Sequence, residues 1–253
     1  MSLAVILAIA LALPDKPKDG HAVMAEVDKR RQTAAEYSEG VITVEEKGKT
    51  KRKAWRSWRL GWGPEAAGLI QFQEPAEVKG VGLLTLSHAG KPSEQWFYAP
   101  AIDRDRRVAK QEKSTRFLGT HFTYEDMEER DLEAFTYTLL AEESLSGTPC
   151  FKVEAVPKPE EDSQYSKLVF WVLQGRYVTI RVETYVLGSL RRVFEGSDVR
   201  DVSGIPIVHA WSLTDTKRSG TTRLAVANVR VNPPIDGRLF AVAAMRTIHP
   251  RVE

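Results

Sequence analysis

The residues able to do bond-making chemistry are few and scattered. The five histidines, His21, His88, His121, His209 and His249, show no metal-ligand spacing. Neither a glycine-rich phosphate loop nor a dinucleotide fingerprint is present, and no serine sits in a nucleophile elbow. Glu125 and Asp126 are adjacent, so on a helix they point apart and make no acid–base pair. A triad assembled from distant residues stays open on sequence alone. The expectation is nonetheless a protein that is not an enzyme, with no cofactor, no metal and no catalytic residue.

What remains is aromatic and cationic. The stretch Phe117–Asp131, FLGTHFTYEDMEERD, brings Phe117, Phe122 and Tyr124 together and then turns acidic. Gly119 permits a turn. Thr123 followed by Asp126 three positions on is an N-cap signature that starts a short helix at Tyr124. Such a stretch reads as a loop plugging its aromatics into the core, and His121 within it as a hydrogen-bonded structural histidine or as part of a site.

Two segments carry positive charge. In Thr50–Trp62, Trp55, Trp58 and Trp62 are interleaved with Lys51, Arg52, Lys53, Arg56 and Arg59. Interleaving of this kind serves single-stranded nucleic acid. It also describes a half-buried strand, with Ala54, Trp58, Leu60 and Trp62 on one face and most charges opposite. The chain has 36 basic and 34 acidic residues, a net charge of +2, which lacks the dominant basic face of a nucleic-acid binder. In Ile102–Lys110, Arg104, Arg106, Arg107 and Lys110 cluster with Asp103 and Asp105 among them. They are read either as solvated ion pairs or as a contact for an anionic headgroup or membrane surface.

The N-terminus sets the address. Met1–Leu13 is uninterrupted apolar and small, ended by Pro14 and the charged Asp15–Asp19. It is shorter than the roughly 20 residues that span a bilayer. It has the length of a signal-peptide core, with small-x-small cleavage patterns at Ala8-Ile9-Ala10 and Ala10-Leu11-Ala12. No Lys or Arg precedes it, so the start lies further upstream or the signal is atypical. The other reading is an apolar segment that stays on the protein. Cys150 is the only cysteine, so no intramolecular disulfide forms and no lipid-anchor cysteine follows the apolar run. The mature protein is expected to be soluble and outside the cytoplasm.

Positioning falls to strands. His21–Thr33 has helical spacing through Val23, Met24 and Val27, with Lys29, Arg30 and Arg31 at its end. From Tyr37 the period becomes two. Strands are expected at Val41–Val44, Thr50–Trp62, Leu69–Phe72, Val81–Ser87, Gln95–Tyr98, Phe135–Glu142, Cys150–Val156 and Tyr165–Leu173. Others follow at Tyr177–Val186, Leu190–Val199, Ile205–Thr214 and Thr221–Val231. The tail Gly237–Ile248 reads as a short helix. At 253 residues, with no linker or repeat, the chain reads as one domain from residue 20 to 253. The class is mainly β (α+β), a single curved antiparallel sheet whose apolar face must be covered or bind something.

An ordered set of short signatures resembles the outer-membrane lipoprotein-sorting protein family, in a LolA-like branch distinct from the standard carrier. These are Phe72-Gln73-Glu74-Pro75, Lys79-Gly80 and Leu83-Leu84, then Trp96-Phe97-Tyr98-Ala99-Pro100 and Arg106-Arg107-Val108. The run Phe117–Asp126 follows, with Thr221-Thr222-Arg223-Leu224 and Asn228-Val229 late in the chain. The resemblance implies a LolA/LolB-like half-barrel with covering helices in the periplasm, behind a signal peptide at residues 1–13. Its apolar cavity would shield the acyl chains of a lipid or lipoprotein during transfer toward the outer membrane. An inner-membrane exporter and an outer-membrane acceptor would be the partners, and the protein would be a monomer. The alternative is an acyl-chain-sensing or accessory protein of an exporter or signalling complex. Candidate lining residues are Trp58, Leu60, Trp62, Ile70, Phe72, Leu84, Trp96, Tyr98, Phe122 and Tyr124, each of which also reads as plain core. Arg104, Arg106 and Arg107 are the candidate headgroup or membrane contacts.

Overall fold

Period-two alternation over most of the chain builds thirteen strands into one antiparallel sheet. The computed structural model describes residues 17–89 and 91–252; the segment read as a signal peptide, residues 1–13, lies outside them. The first meander is β1 (Ala35–Glu46), β2 (Lys49–Leu60), β3 (Ala67–Glu74), β4 (Gly82–His88), β5 (Lys91–Ala99) and β6 (Arg104–Arg107). The second is β7 (Phe135–Leu145), β8 (Thr148–Pro157), β9 (Lys167–Leu173), β10 (Thr179–Val186), β11 (Ser189–Val202), β12 (Ile205–Asp215) and β13 (Thr221–Val231). They join where β1 pairs with β13, so the order is β6-β5-β4-β3-β2-β1-β13-β12-β11-β10-β9-β8-β7, with β6 and β7 as free edges.

Hairpin chemistry sets the register. Lys47-Gly48 and Leu187-Gly188 both hold two successive residues at positive φ, the type I′ geometry that matches strand twist. That geometry puts Leu187 on a tip, 93% exposed. Strand β6, where sequence reading expected ion pairs without a strand, is short and rich in arginine, as suits an exposed edge. The strand expected from Tyr177 begins at Thr179, because Tyr177 sits in a left-handed turn.

One α-helix is present among the described residues. Helix α1 (Gly20–Arg31) starts at Asp19, whose carboxylate accepts from the Ala22 amide at 2.8 Å, and ends on Lys29, Arg30 and Arg31. It packs mainly on β7, with further contact to β8 and β12. Gly20 is required there, since a Cβ would meet the Thr138 backbone at 2.7 Å. The remaining cover is made of 3₁₀ turns. The tail expected as a short helix is two of them, Gly237–Phe240 and Val242–Arg246. A longer strap, residues 108–134, runs from edge β6 to edge β7 through four more.

The strap fixes the curvature. The Tyr124 carbonyl accepts from Gln95 of β5 at 3.0 Å, while Phe122, two residues earlier, stacks on Phe194 of β11 with centroids 5.9 Å apart. Seven inter-strand steps separate β5 from β11, about 34 Å in a flat sheet at ~4.8 Å per step. Two residues cannot bridge that distance, so the sheet curls around the strap, which lies on the concave face.

Both faces of the first meander are buried. On the concave side Ile42, Val44, Trp55, Phe72, Val81 and Leu83 pack against Phe117 and Tyr124 of the strap. On the convex side Tyr37, Trp58, Leu69, Leu84 and Tyr98 pack under Phe240 and Met245 of the tail. The buried amide of Gln71 anchors that tail, donating to the Thr247 carbonyl at 2.8 Å and accepting from the His249 amide at 3.0 Å. In the second meander the concave core includes Val23 of α1, Phe151, Val153, Phe170 and Val182. Its convex side is roofed by charge, with Lys152 and Arg181 lying over the Trp171 ring.

Gly40 is the tightest point of the concave floor. A Cβ there would stand 2.2 Å from the Ala225 carbonyl oxygen and 2.5 Å from the Trp55 ring. Gly40→Ala should therefore cost about 1–3 kcal/mol in urea unfolding, from overpacking. Gly68 of β3 faces open space, and Gly68→Ala should stay within about 0.5 kcal/mol of wild type.

Candidate ligand-binding site beneath the strap

The strap begins with a small hairpin. Arg116 and Thr123 pair as an antiparallel bridge, and the Phe117 amide donates to the Phe122 carbonyl at 2.8 Å. Leu118 and Gly119 at the tip have positive φ. The Arg116 guanidinium holds this tip, donating to the Thr120 and Gly119 carbonyls and, at 3.2 Å from each nitrogen, to the two Glu46 oxygens. The helix expected from Tyr124 is a single 3₁₀ turn, Glu125–Met127. Thr123 does not cap it as the spacing implies: its hydroxyl donates to Asp126 at 2.8 Å instead of accepting from the turn, and the same Asp126 oxygen accepts from the Thr123 amide at 2.7 Å. The turn ends at Glu128, whose backbone is extended, and its carboxylates are committed outward. The other Asp126 oxygen takes the Tyr165 hydroxyl at 2.5 Å, and Glu125 takes Ser163 and the Gln164 amide.

Beneath the strap lies an apolar bed crossed by a buried polar seam. Phe117 is 1% exposed and packs on Phe72 and Tyr124, with centroids 5.8 and 5.5 Å away. Leu118 and Met127 extend the same cluster. The seam runs from Asp126 through Tyr165 to Arg192, which donates to the Tyr165 hydroxyl at 2.9 Å, and on to Asp215, 3.8 Å from Arg192 Nε. His121 is fully buried; its Nδ1 and backbone amide both meet the Thr222 hydroxyl, while its Nε2 has no partner. Thr184 Oγ1 is likewise unpartnered and buried. Space remains at the edge of the bed, in a cavity of about 180 Å³ bounded by Ser57, Ile70, Leu83, Met127 and Glu129.

The ten candidate lining residues divide between the two faces. Ile70, Phe72 and Tyr124 lie in the concave cluster, and Phe122 meets Phe194 beside it. Trp58, Leu60, Leu84, Trp96 and Tyr98 lie on the convex face under the tail. Trp62 stands at the corner with α1, donating to Asp28 at 2.6 Å and stacked between Arg31 and Arg59. Trp55, Phe97 and Phe194 share the concave bed and were not among the candidate lining residues. The signal for Trp55 was its parity opposite Trp58. Of the three arginines, Arg106 pairs with Glu112 at 2.6 Å and Arg107 with Glu94 at 3.0 Å, leaving Arg104 exposed and without an ion-pair partner among the described residues.

Two strap groups make its closure depend on pH in opposite senses. Burial pushes the Glu128 carboxyl up to about 7 against the pull of Lys113, 3.0 Å away, and Glu125 and Glu161 add to the rise. Burial also holds the His121 imidazole below its usual range, and Arg116 adds to this. A carboxyl raised in the folded state contributes most below its unfolded value, and that contribution is lost as pH climbs through the folded one. A depressed histidine behaves conversely, losing its contribution as pH falls. The stability difference between wild type and Glu128→Gln, from urea unfolding, should thus drop by about 2 kcal/mol between pH 5 and pH 8. A difference independent of pH would remove Glu128 from this account.

A domain described as an outer membrane lipoprotein-sorting protein, from Vibrio parahaemolyticus, superposes with a TM-score of 0.85 at 23% identity, covering 90% of this chain and 98% of its own. A DUF1329 family protein from Desulfovibrio piger gives 0.86 at 24% identity, covering 89% and 97%. A LolA superfamily protein from Nitrosomonas europaea gives 0.70 at 16% identity, covering 88% and 97%. No curated protein matches the sequence. A family model whose description reads "-like: Uncharacterized protein" matches residues 65–247, from just before β3 through the strap and into the tail. On that match the chain belongs to this uncharacterized-protein family, and its fold is LolA-like.

Proposed function

We propose that the protein binds acyl chains of a lipid or lipoprotein on its concave face, in the place the strap side chains now fill, and carries them through the periplasm toward the outer membrane. The observation that carries this reading is the character of the strap. Its aromatics Phe117, Phe122 and Tyr124 occupy an apolar bed between two free sheet edges. Its attachments to the strands are largely side-chain bonds: Lys53 to the Leu118 carbonyl, Arg116 to Glu46, His121 to Thr222, and Asp126 to Tyr165. Such a segment can exchange an internal plug for an external one of the same chemistry.

Magnitudes allow it. Hiding a long acyl chain from water contributes on the order of 10 kcal/mol before opposing terms, at about 0.8 kcal/mol per methylene. Displacing three aromatics and a handful of hydrogen bonds costs a comparable amount, so uptake and release stay near balance. Support also comes from the likeness in fold to a lipoprotein-sorting domain. Under this reading residues 20–253 work as one unit, without catalysis, as a monomer, after export by a signal segment at residues 1–13. No helix among the described residues is long and apolar enough to cross a membrane. Membrane contact at the β6 edge falls to Arg104, since Arg106 and Arg107 are engaged.

Native mass spectrometry of protein purified without detergent, followed by organic extraction, tests this directly. A stoichiometric adduct that extracts as a lipid is expected. An empty protein that also fails to take up added long-chain fatty acid would sink the carrier. Binding that alters association with a membrane protein, without transfer between vesicles, would instead select the sensing or accessory role. Phe117→Ala removes the side chain packed on Phe72 and Tyr124. It should lower stability by about 3–5 kcal/mol while speeding fatty-acid uptake, measured by stopped-flow fluorescence.

A further inference from the structure

Beside the strap tip opens a cleft of about 760 Å³ at the β1–β2 hairpin. Six cations line it, namely Lys47, Lys49, Lys51, Arg52, Lys53 and Arg116, against two acids, Glu46 and Glu77. Glu46 is taken by Arg116. Lys47, Lys49, Lys51 and Arg52 are exposed and form no ion pair among the described residues. The arginine cluster of β6 differs, being largely neutralised by Glu112 and Glu94. In a protein of net charge +2, the cleft is therefore a local excess of positive charge.

Strand geometry gathers these cations on one face. Lys49, Lys51 and Lys53 alternate onto one face of β2, and Lys51 and Lys53 stand opposite Val44 and Ile42 of the concave core. Their Cα atoms are thus about 7 Å apart along the strand, close enough for neighbouring ammonium groups to converge on one multiply charged anion. Lys53 is the deepest, 8% exposed, and its ammonium donates to the Leu118 carbonyl at 3.0 Å and forms no ion pair among the described residues. Leaving a buried ammonium so poorly compensated is costly unless a counter-charge arrives. That burial, with Lys51 and Arg116 adding to it, makes its charged form harder to hold. Val44, Val78 and Leu118 supply an apolar wall beside the cations.

We propose that this cleft binds the phosphate group of an anionic amphiphile, whose apolar part lies along the strap. In naming an amphiphile, the proposal rests on the acyl-chain reading above; the phosphate site itself does not. The contact from Lys53 to Leu118 couples the two. An anion that draws the Lys53 ammonium toward itself releases the strap tip, so headgroup recognition favours opening. Lys49, Lys51 and Arg52 supply the rim charge, and their attraction weakens with salt.

The test is calorimetric titration of the full chain with inorganic phosphate, with dihexanoyl phosphatidic acid below its micelle point, and with dihexanoyl phosphatidylcholine. Phosphatidic acid should bind at least tenfold more tightly than phosphatidylcholine. The double variant Lys49→Gln, Lys51→Gln, at two exposed positions, should reduce that affinity at least tenfold without lowering Tm. Phosphate and phosphatidic acid binding equally, both lost in the variant, would support the phosphate site while assigning it to a free anion, and would count against the amphiphile. Equal binding of the anionic and neutral lipids, or an unchanged affinity in the double variant, would overturn the proposal. That last result, with long-chain fatty acid still bound, would leave the acyl-chain reading standing.

Discussion

One carboxylate holds the arrangement together. Asp126 accepts from the Thr123 amide and at the same time receives the Tyr165 hydroxyl, which Arg192 also addresses. The strap, which leaves the edge of the first meander, is thereby tied to the far half of the sheet. That tie acts together with the Phe122–Phe194 stack and with the bonds that Glu125 accepts from Ser163 and Gln164, since β6 and β7 do not pair with each other. Tyr165 and Arg192 are buried and Asp126 half-buried, and inside a protein such a bond is strong while an unpaired member is costly. Closure is accordingly all or nothing at this point: either Asp126, Tyr165 and Arg192 are joined, or three polar groups must find water.

The two halves solve the same burial problem by different means. The first meander is covered on both faces, by the strap and by the tail. The second has helix α1 inside and a lattice of side-chain charges outside, where Arg181 pairs with Glu183 and Glu195 and Lys152 with Glu143 around Trp171. Strand β9 is consequently apolar on both faces with only one face covered by backbone. Long cationic stems serve as the second layer, their methylenes over the ring and their heads in solvent.

This doubling explains what the sequence could and could not disclose. Strand period, turn residues and the pairing of Thr123 with Asp126 were all legible, because each is a local rule. The face parity of Trp58 and Leu60 was also legible. What parity cannot say is which covered face meets the strap, and in the first meander both are apolar. Hence Trp58, Leu84, Trp96 and Tyr98 read as cavity residues although they lie under the tail, while Trp55, beside basic neighbours, was passed over. The edge strand β6 was hidden because its arginines and aspartates look like loop chemistry, and an edge needs those residues. The charge of Lys53 was visible, but its burial depends on Leu118, some sixty residues away in the chain.

The seam between β1 and β13 carries a consequence for how the chain reaches this state. Every other strand pair joins sequence neighbours, whereas β1 at Ala35–Glu46 must wait for β13 at Thr221–Val231. During synthesis the first meander can pair as it emerges, with its hairpins made of local contacts. Strand β1 then presents an open edge until the last strand is made. The second meander must assemble outward from β7 in the meantime, and the loop closed by the final pairing spans most of the polypeptide. Closing it carries the largest entropic cost of any pairing in the sheet. Loop-closure entropy alone places the zipping of this seam last, and until then β1 is an open edge available for pairing with another chain.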